Sequence, residues 1–168
     1  MLGRYDNFPK SVHNISDFLT PSKLKKLQTA IVEALYKLNS QTFALEEVTT
    51  PSTPECNVTF EFGVAEDSDF NYLNHEERDK LLKTIQKRPF SILDYFCLVR
   101  YCKRKMDKKT TLKSDYYMLR FLFEKEFVQL QIYHEKGLMY TTPKDLPEFL
   151  INRINAESNR KLLKPYET

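Results

Sequence analysis

The chain has no tryptophan and only three glycines in 168 residues. Loops that close on a phosphate concentrate glycines so that backbone amides can approach it. With Gly3, Gly63 and Gly137 scattered, no such loop is expected. No apolar run approaches the roughly 18 residues that a membrane-spanning helix needs. The opening MLGRYDNFPK has no basic segment followed by an apolar stretch, so no secretory signal is expected either. Cysteine is scarce and odd in number: Cys56, Cys97 and Cys102, with no C-x-x-C spacing. Cys97 and Cys102 fall on one predicted strand at positions of opposite parity, so they point to opposite faces and cannot pair locally. Unbridged thiols in a reducing cytoplasm are the expectation.

Recognisable catalytic patterns are missing too. His13, His75 and His134 are dispersed, with no H-x-x-x-H or Cys/His ligand spacing, so neither a metal nor a cofactor is expected. No G-x-S-x-G surrounds a serine. Cys97 or Cys102 could pair with His134 as a thiol–imidazole couple, but buried strand cysteines more often act as small apolar residues. Glu76 and Glu77 suit a helix start, and the acidic run Glu66, Asp67, Asp69 lacks the glycine and spacing of a calcium loop. An enzyme is therefore not the first expectation.

What is present is a set of alternating patterns. The composition, 41% hydrophobic and 13% aromatic, suffices for a core. Tyr117, Leu119, Phe121 and Phe123 alternate with Tyr116, Met118, Arg120 and Leu122, which is a strand signal. After the charged break Glu124-Lys125-Glu126, Val128, Leu130 and Ile132 alternate with Gln129, Gln131 and Tyr133. Gly137 suits a turn closed by a glycine bulge, with Leu138 to Thr142 returning as a third strand of a meander. Val58, Phe60, Phe62 and Val64 alternate with Thr59, Glu61 and Gly63, and Gly63 could mark a bulge or the approach of another backbone. Ile92 to Lys103 reads as a further strand.

Helical periodicity appears three times. Thr20 followed by Pro21 predicts a helix start, and Leu24, Leu27, Ile31, Ala34, Leu35 and Leu38 continue it to near Asn39. Asn74 with Glu77, and Asp145 with Glu148, predict two more starts of capping-box type. Residues 41–56 read as a surface connection and 65–73 as an acidic turn. The expected organisation is an arm over 1–19, one α+β domain over 20–159 and a tail over 160–168.

The expected order is α-β-α-β-β-β-β-α, a curved antiparallel sheet of about five strands with helices on one face. Without the first helix, this order is similar to one half of a TATA-binding-protein-like fold. That similarity implies one sheet face covered by helices and one left for a ligand, nucleic acid or second subunit.

Alternation then assigns the faces. Val58, Phe60, Phe62, Val64, Tyr95, Val99, Leu119, Phe121, Leu130 and Ile132 would face the helices. The opposite face would carry Thr59, Glu61, Asp94, Phe96, Leu98, Arg100, Tyr116, Met118, Arg120, Leu122, Gln129, Gln131 and Tyr133. This mixture of aromatic, apolar and arginine side chains resembles an interface more than a solvated sheet, the other reading being that the N-terminal helix or arm covers it. Net charge is only +3, but from Lys103 to Lys113 six basic residues stand against Asp107 alone. Arg100, Lys103, Arg104, Lys105, Lys108, Lys109, Lys113 and Arg120 are thus the candidate partner- or nucleic-acid-binding cations. Phe96, Leu98, Tyr116, Met118 and Leu122 are the candidate interface residues. The expectation is a cytoplasmic, non-catalytic binding module meeting a protein partner, a second copy of itself or nucleic acid, and no membrane. The alternatives are a helix-on-sheet cavity for a small apolar ligand, or a small enzyme with an unrecognised site.

Overall fold

The hairpin of β6 (Asp115–Glu124) and β7 (Phe127–Lys136) sets the register of the whole sheet. Leu119 pairs with Ile132, Phe121 with Leu130 and Phe123 with Val128, so each apolar residue stands opposite another on the same face. The turn is tight, with Glu124 opposite Phe127 and Glu126 at φ 64°. β5 (Ile92–Lys103) pairs antiparallel with β6, and β3 (Cys56–Glu66) with β5. The computed structural model describes residues 1–50, 56–103, 114–158 and 161–166.

The sheet is larger than the alternation alone predicted. Eight strands run in the order β2-β3-β5-β6-β7-β1-β8, with β4 also pairing β3. β1 (Asn14–Leu19) lies in the segment expected to be an arm. It pairs antiparallel with β7 and takes the edge expected for Leu138–Thr142. Those residues form no strand. β2 (Thr42–Ala44) and the short helix α2 (Leu45–Val48) structure the expected surface connection. β4 (Asp69–Tyr72) makes a hairpin with β3 where a turn was expected, and Asp67 sits at φ 58°. Gly63 meets that hairpin closely: a Cβ there would lie 3.2 Å from Phe70 Cβ and 3.3 Å from the Asn71 carbonyl oxygen. β8 (Lys164–Pro165) pairs with Phe18 and Leu19, and the adjoining Leu162 and Leu163 are buried, so this segment is docked. The element order is therefore not the one that resembled half of a TATA-binding-protein-like fold.

α1 (Leu24–Leu38) begins later than Thr20-Pro21 suggested. Thr20 Oγ1 instead accepts from the Ser22 amide at 3.3 Å, holding a local turn before the helix. α3 (His75–Lys87) starts as expected, with Asn74 Oδ1 accepting from the Glu77 amide at 2.9 Å. α4 (Asp145–Glu157) is capped by Thr142, whose Oγ1 accepts from the Asp145 amide at 3.0 Å. Asp145 is already helical and spends its carboxylate on the Thr49 hydroxyl and the Thr50 amide, tying α4 to the end of α2.

α1 and α4 pack on the face that carries Val58, Phe60, Phe62, Tyr95, Cys97, Val99, Leu119, Phe121, Leu130 and Ile132. Leu27, Ile31, Leu35, Leu146, Leu150 and Ile154 enter the same core with no exposed surface. A fully buried side chain of this kind contributes roughly 1.5–3 kcal/mol before chain entropy is counted.

Candidate nucleic-acid interface

On the other sheet face the N-terminal segment bonds to Asp94 and Arg120 and stacks on Tyr133. Residues 2–5 fill the gap where β3 and β5 diverge. The Gly3 amide donates to the Ala65 carbonyl at 2.7 Å, and the Asp94 amide donates to the Gly3 carbonyl at 2.6 Å. The Tyr5 amide donates to Asp94 Oδ2 at 2.7 Å, and Arg120 donates to the Tyr5 carbonyl at 3.3 Å. Phe8 then lies over the Arg120 guanidinium, and His13 stacks on Tyr133 with ring centres 4.9 Å apart. The strap ends at β1 on the far side of the sheet, with the His13 amide bonded to the Ile132 carbonyl at 2.8 Å.

This strap decides the fate of several expected binding residues. Arg120 is engaged with Asp94, which is fully buried, and its own side chain keeps 17% of its surface exposed. Leu122 is half-buried and follows Arg120 on the same face of β6. Leu98 is buried at 7% exposure. Phe96, Tyr116 and Met118 are half-buried, while Arg100 and Lys103 are exposed. Arg104, Lys105, Lys108, Lys109 and Lys113 lie outside the described residues.

Beside the strap an aromatic row runs across the strands. Tyr5 meets Phe70 at 4.6 Å between ring centres, Phe70 meets Phe96 at 5.6 Å, and Phe96 meets Tyr116 at 5.9 Å. Lys136 Nζ lies 4.5 Å from the Tyr116 ring centre and closes the row with a cation. The sequence pattern had not shown Phe70 or Lys136 joining this surface, because β4 and the β6 bulge at Tyr116/Tyr117 bring them in. Arg100 stands at the next level of the sheet, 3.4 Å from Glu61 across β3. Exposed pairs of this kind hold weakly and exchange readily for another anion.

A second cluster lies at the same end but on the core side. Asp115, fully buried, accepts from the Met139 amide at 2.6 Å, the Tyr140 amide at 3.0 Å and the Tyr101 hydroxyl. His134 Nε2 lies 2.9 Å from its Oδ1. Tyr117 donates to the Thr141 carbonyl, and the Thr141 amide donates to the Tyr101 hydroxyl at 3.0 Å. Burial raises the Tyr101 and Tyr117 hydroxyls far above their ordinary values, and Asp115 adds to both shifts. Burial likewise raises the Cys97 thiol, which disfavours a thiolate nucleophile. His134 is thus spent on Asp115, and this network anchors residues 139–141 in place of strand pairing. Sequence reading missed Asp115, which looks like an ordinary strand-leading aspartate.

Among the described residues no group of three His, Cys, Asp or Glu side chains gathers as a metal site, and no helix is long and apolar enough to cross a membrane. Comparison with protein-family models, with curated proteins and with solved structures returns no match. The class defined by fold and site is an α+β chain with a strapped antiparallel sheet.

Proposed function

We propose that the chain is a non-catalytic binding module that holds single-stranded nucleic acid on the half of the sheet beside the strap. The observation that carries this reading is the row Phe70–Phe96–Tyr116 ending in Lys136. Half-exposed rings offer stacking surfaces, each worth roughly 1–3 kcal/mol per base. Arg100 and Lys136 supply cations for the phosphates on that face, Lys103 stands at the same end of β5 with the opposite parity, and the sequence joining β5 to β6 adds Arg104, Lys105, Lys108, Lys109 and Lys113. The stacking surfaces belong to a rigid sheet, so little ordering cost falls on the protein.

The test is fluorescence anisotropy with labelled single-stranded RNA and DNA over a range of salt. Affinity should fall steeply as salt rises. Phe96→Ala with Tyr116→Ala should weaken binding to every sequence with little change in the salt slope. Replacing Lys103, Arg104, Lys105, Lys108 and Lys109 with glutamate should weaken binding and flatten the slope. Affinity indifferent to both sets, or a preference for duplex over single strand, would defeat the reading.

A further inference from the structure

Between the strap and the junction of α3 with β5 lies a cleft of about 420 Å³. We propose that it binds a small organic carboxylate with an apolar body. Leu2, Pro89, Phe90 and Ile92 supply an apolar lining, while Arg4 and Arg88 stand among the same lining residues. Its size suits a compact ligand.

The charge pattern points to the ligand. Arg78 pairs with Glu33 and Asp79, Arg100 with Glu61 and Arg120 with Asp94. Arg153 lies over the Phe43 ring and donates to Gln41. Arg4 and Arg88 are the two arginines among the described residues whose side chains have no such partner. They come from distant parts of the chain and line one cleft with no carboxylate side chain among its described lining residues. The C-terminus of α3 ends here, and its partial negative charge alone would repel an anion. Lys87 and Arg88 at that end oppose it. A guanidinium fork is shaped for a carboxylate, and two of them beside an apolar lining select an anion that carries an apolar body over a bare ion.

The backbone that presents these arginines is held. Gly3 is bonded on both sides, to Ala65 and Asp94, immediately before Arg4. At φ +89°, a Cβ on Gly3 would lie 3.0 Å from the Phe90 ring and 3.2 Å from Leu93, so the strap reaches Phe90 only through a glycine. The Arg88 amide donates to the Thr84 carbonyl at 2.9 Å.

Titration of the full chain with anilinonaphthalene sulfonate tests the site. One saturable fluorescent site is expected, displaced by octanoate and at least about ten-fold less well by octanol. Arg4→Gln with Arg88→Gln should lower the octanoate affinity at least about ten-fold. Both side chains are exposed, so the thermal midpoint of that variant should stay within a degree or so of the parent's. Lys10→Gln, outside the cleft, should bind as the parent does. Absence of a saturable site, equal competition by octanol, or unchanged octanoate affinity in the double variant each overturns the proposal. Backbone amide shifts of Phe90 and Ile92 on adding octanoate give a second reading, and their immobility also overturns it.

Discussion

Arg120 grips Asp94 with two parallel hydrogen bonds of 2.8 Å, from Nε to Oδ1 and from Nη2 to Oδ2, while the Phe8 ring lies 4.3 Å from the guanidinium carbon. Asp94 is fully buried, so an unpaired carboxylate there has no water to turn to. Removing one partner of such a pair typically costs about 3–5 kcal/mol, whereas replacing both with apolar groups costs far less. Arg120→Ala should therefore lower unfolding free energy by about that amount in urea denaturation. The pair Asp94→Leu, Arg120→Met should be less destabilised than Arg120→Ala alone. A single-variant loss below about 1 kcal/mol would show that the pair is not holding the strap.

Gly137 passes very close to the start of β6. A Cβ there would collide with both Asp115 Oδ1 and the Ser114 carbonyl oxygen, and its φ is +122°. Gly137→Ala should lower stability by more than about 1 kcal/mol, since strain and collision add. Hydrogen exchange at the Met139 and Tyr140 amides, both bonded to Asp115, should speed up as well. Unchanged exchange would detach the glycine from this network.

Tyr95 carries its hydroxyl into the core without a hydrogen-bond partner among the described residues. Removing an unsatisfied buried group relieves its desolvation cost, in the range of about 1–3 kcal/mol, against the small loss of packing around one oxygen. Tyr95→Phe should thus leave stability unchanged or raise it. A clear loss in calorimetry would mean that the hydroxyl is satisfied in solution.

Asp145 titrates below the ordinary aspartate range, chiefly because the Thr49 hydroxyl bonds its carboxylate and the Thr50 amide adds to this. A depressed folded value stabilises the fold above the unfolded value, about 3.9, and that contribution disappears as pH falls through the folded value. Asp145→Asn should be less stable than the parent near neutral pH. The gap should narrow as pH drops below about 4. A gap constant from pH 7 to pH 3 would rule out this linkage.

The strands that carry two dry or half-dry faces were legible in sequence. β3, β5, β6 and β7 announce themselves because burial on the helix face imposes period two on long segments. β1 did not, for a physical reason. Its core-facing positions are Asn14, Ser16 and Phe18, while Ile15 on the other face is 55% exposed, so its alternation runs nearly backwards. It is a strand because β7 needs a partner along that edge. Leu138–Thr142 erred in the opposite direction. Its apolar residues look strand-like, but Leu138 and Met139 are 45% and 42% exposed, and the Asp115 carboxylate claims two of its amides. The second sheet face was recognisable as unusual, with Phe96 and Tyr116 among its rings. Cover by the N-terminal helix or arm was one of the two readings; which part of the face the arm would take was not legible, because the contact of Phe8 with Arg120 depends on residues far apart in the chain.

That crossing has a consequence for the order of assembly. His13 accepts from the His134 amide across 121 residues of sequence, and β1 takes its place between β7 and the still later β8. During synthesis the first strand leaves the ribosome with both edges bare and waits until β7 has followed it. Closure of the fold is then a late, non-local event, slow by the measure of its topology, and a nascent chain stalled before β7 would be the species most prone to aggregate.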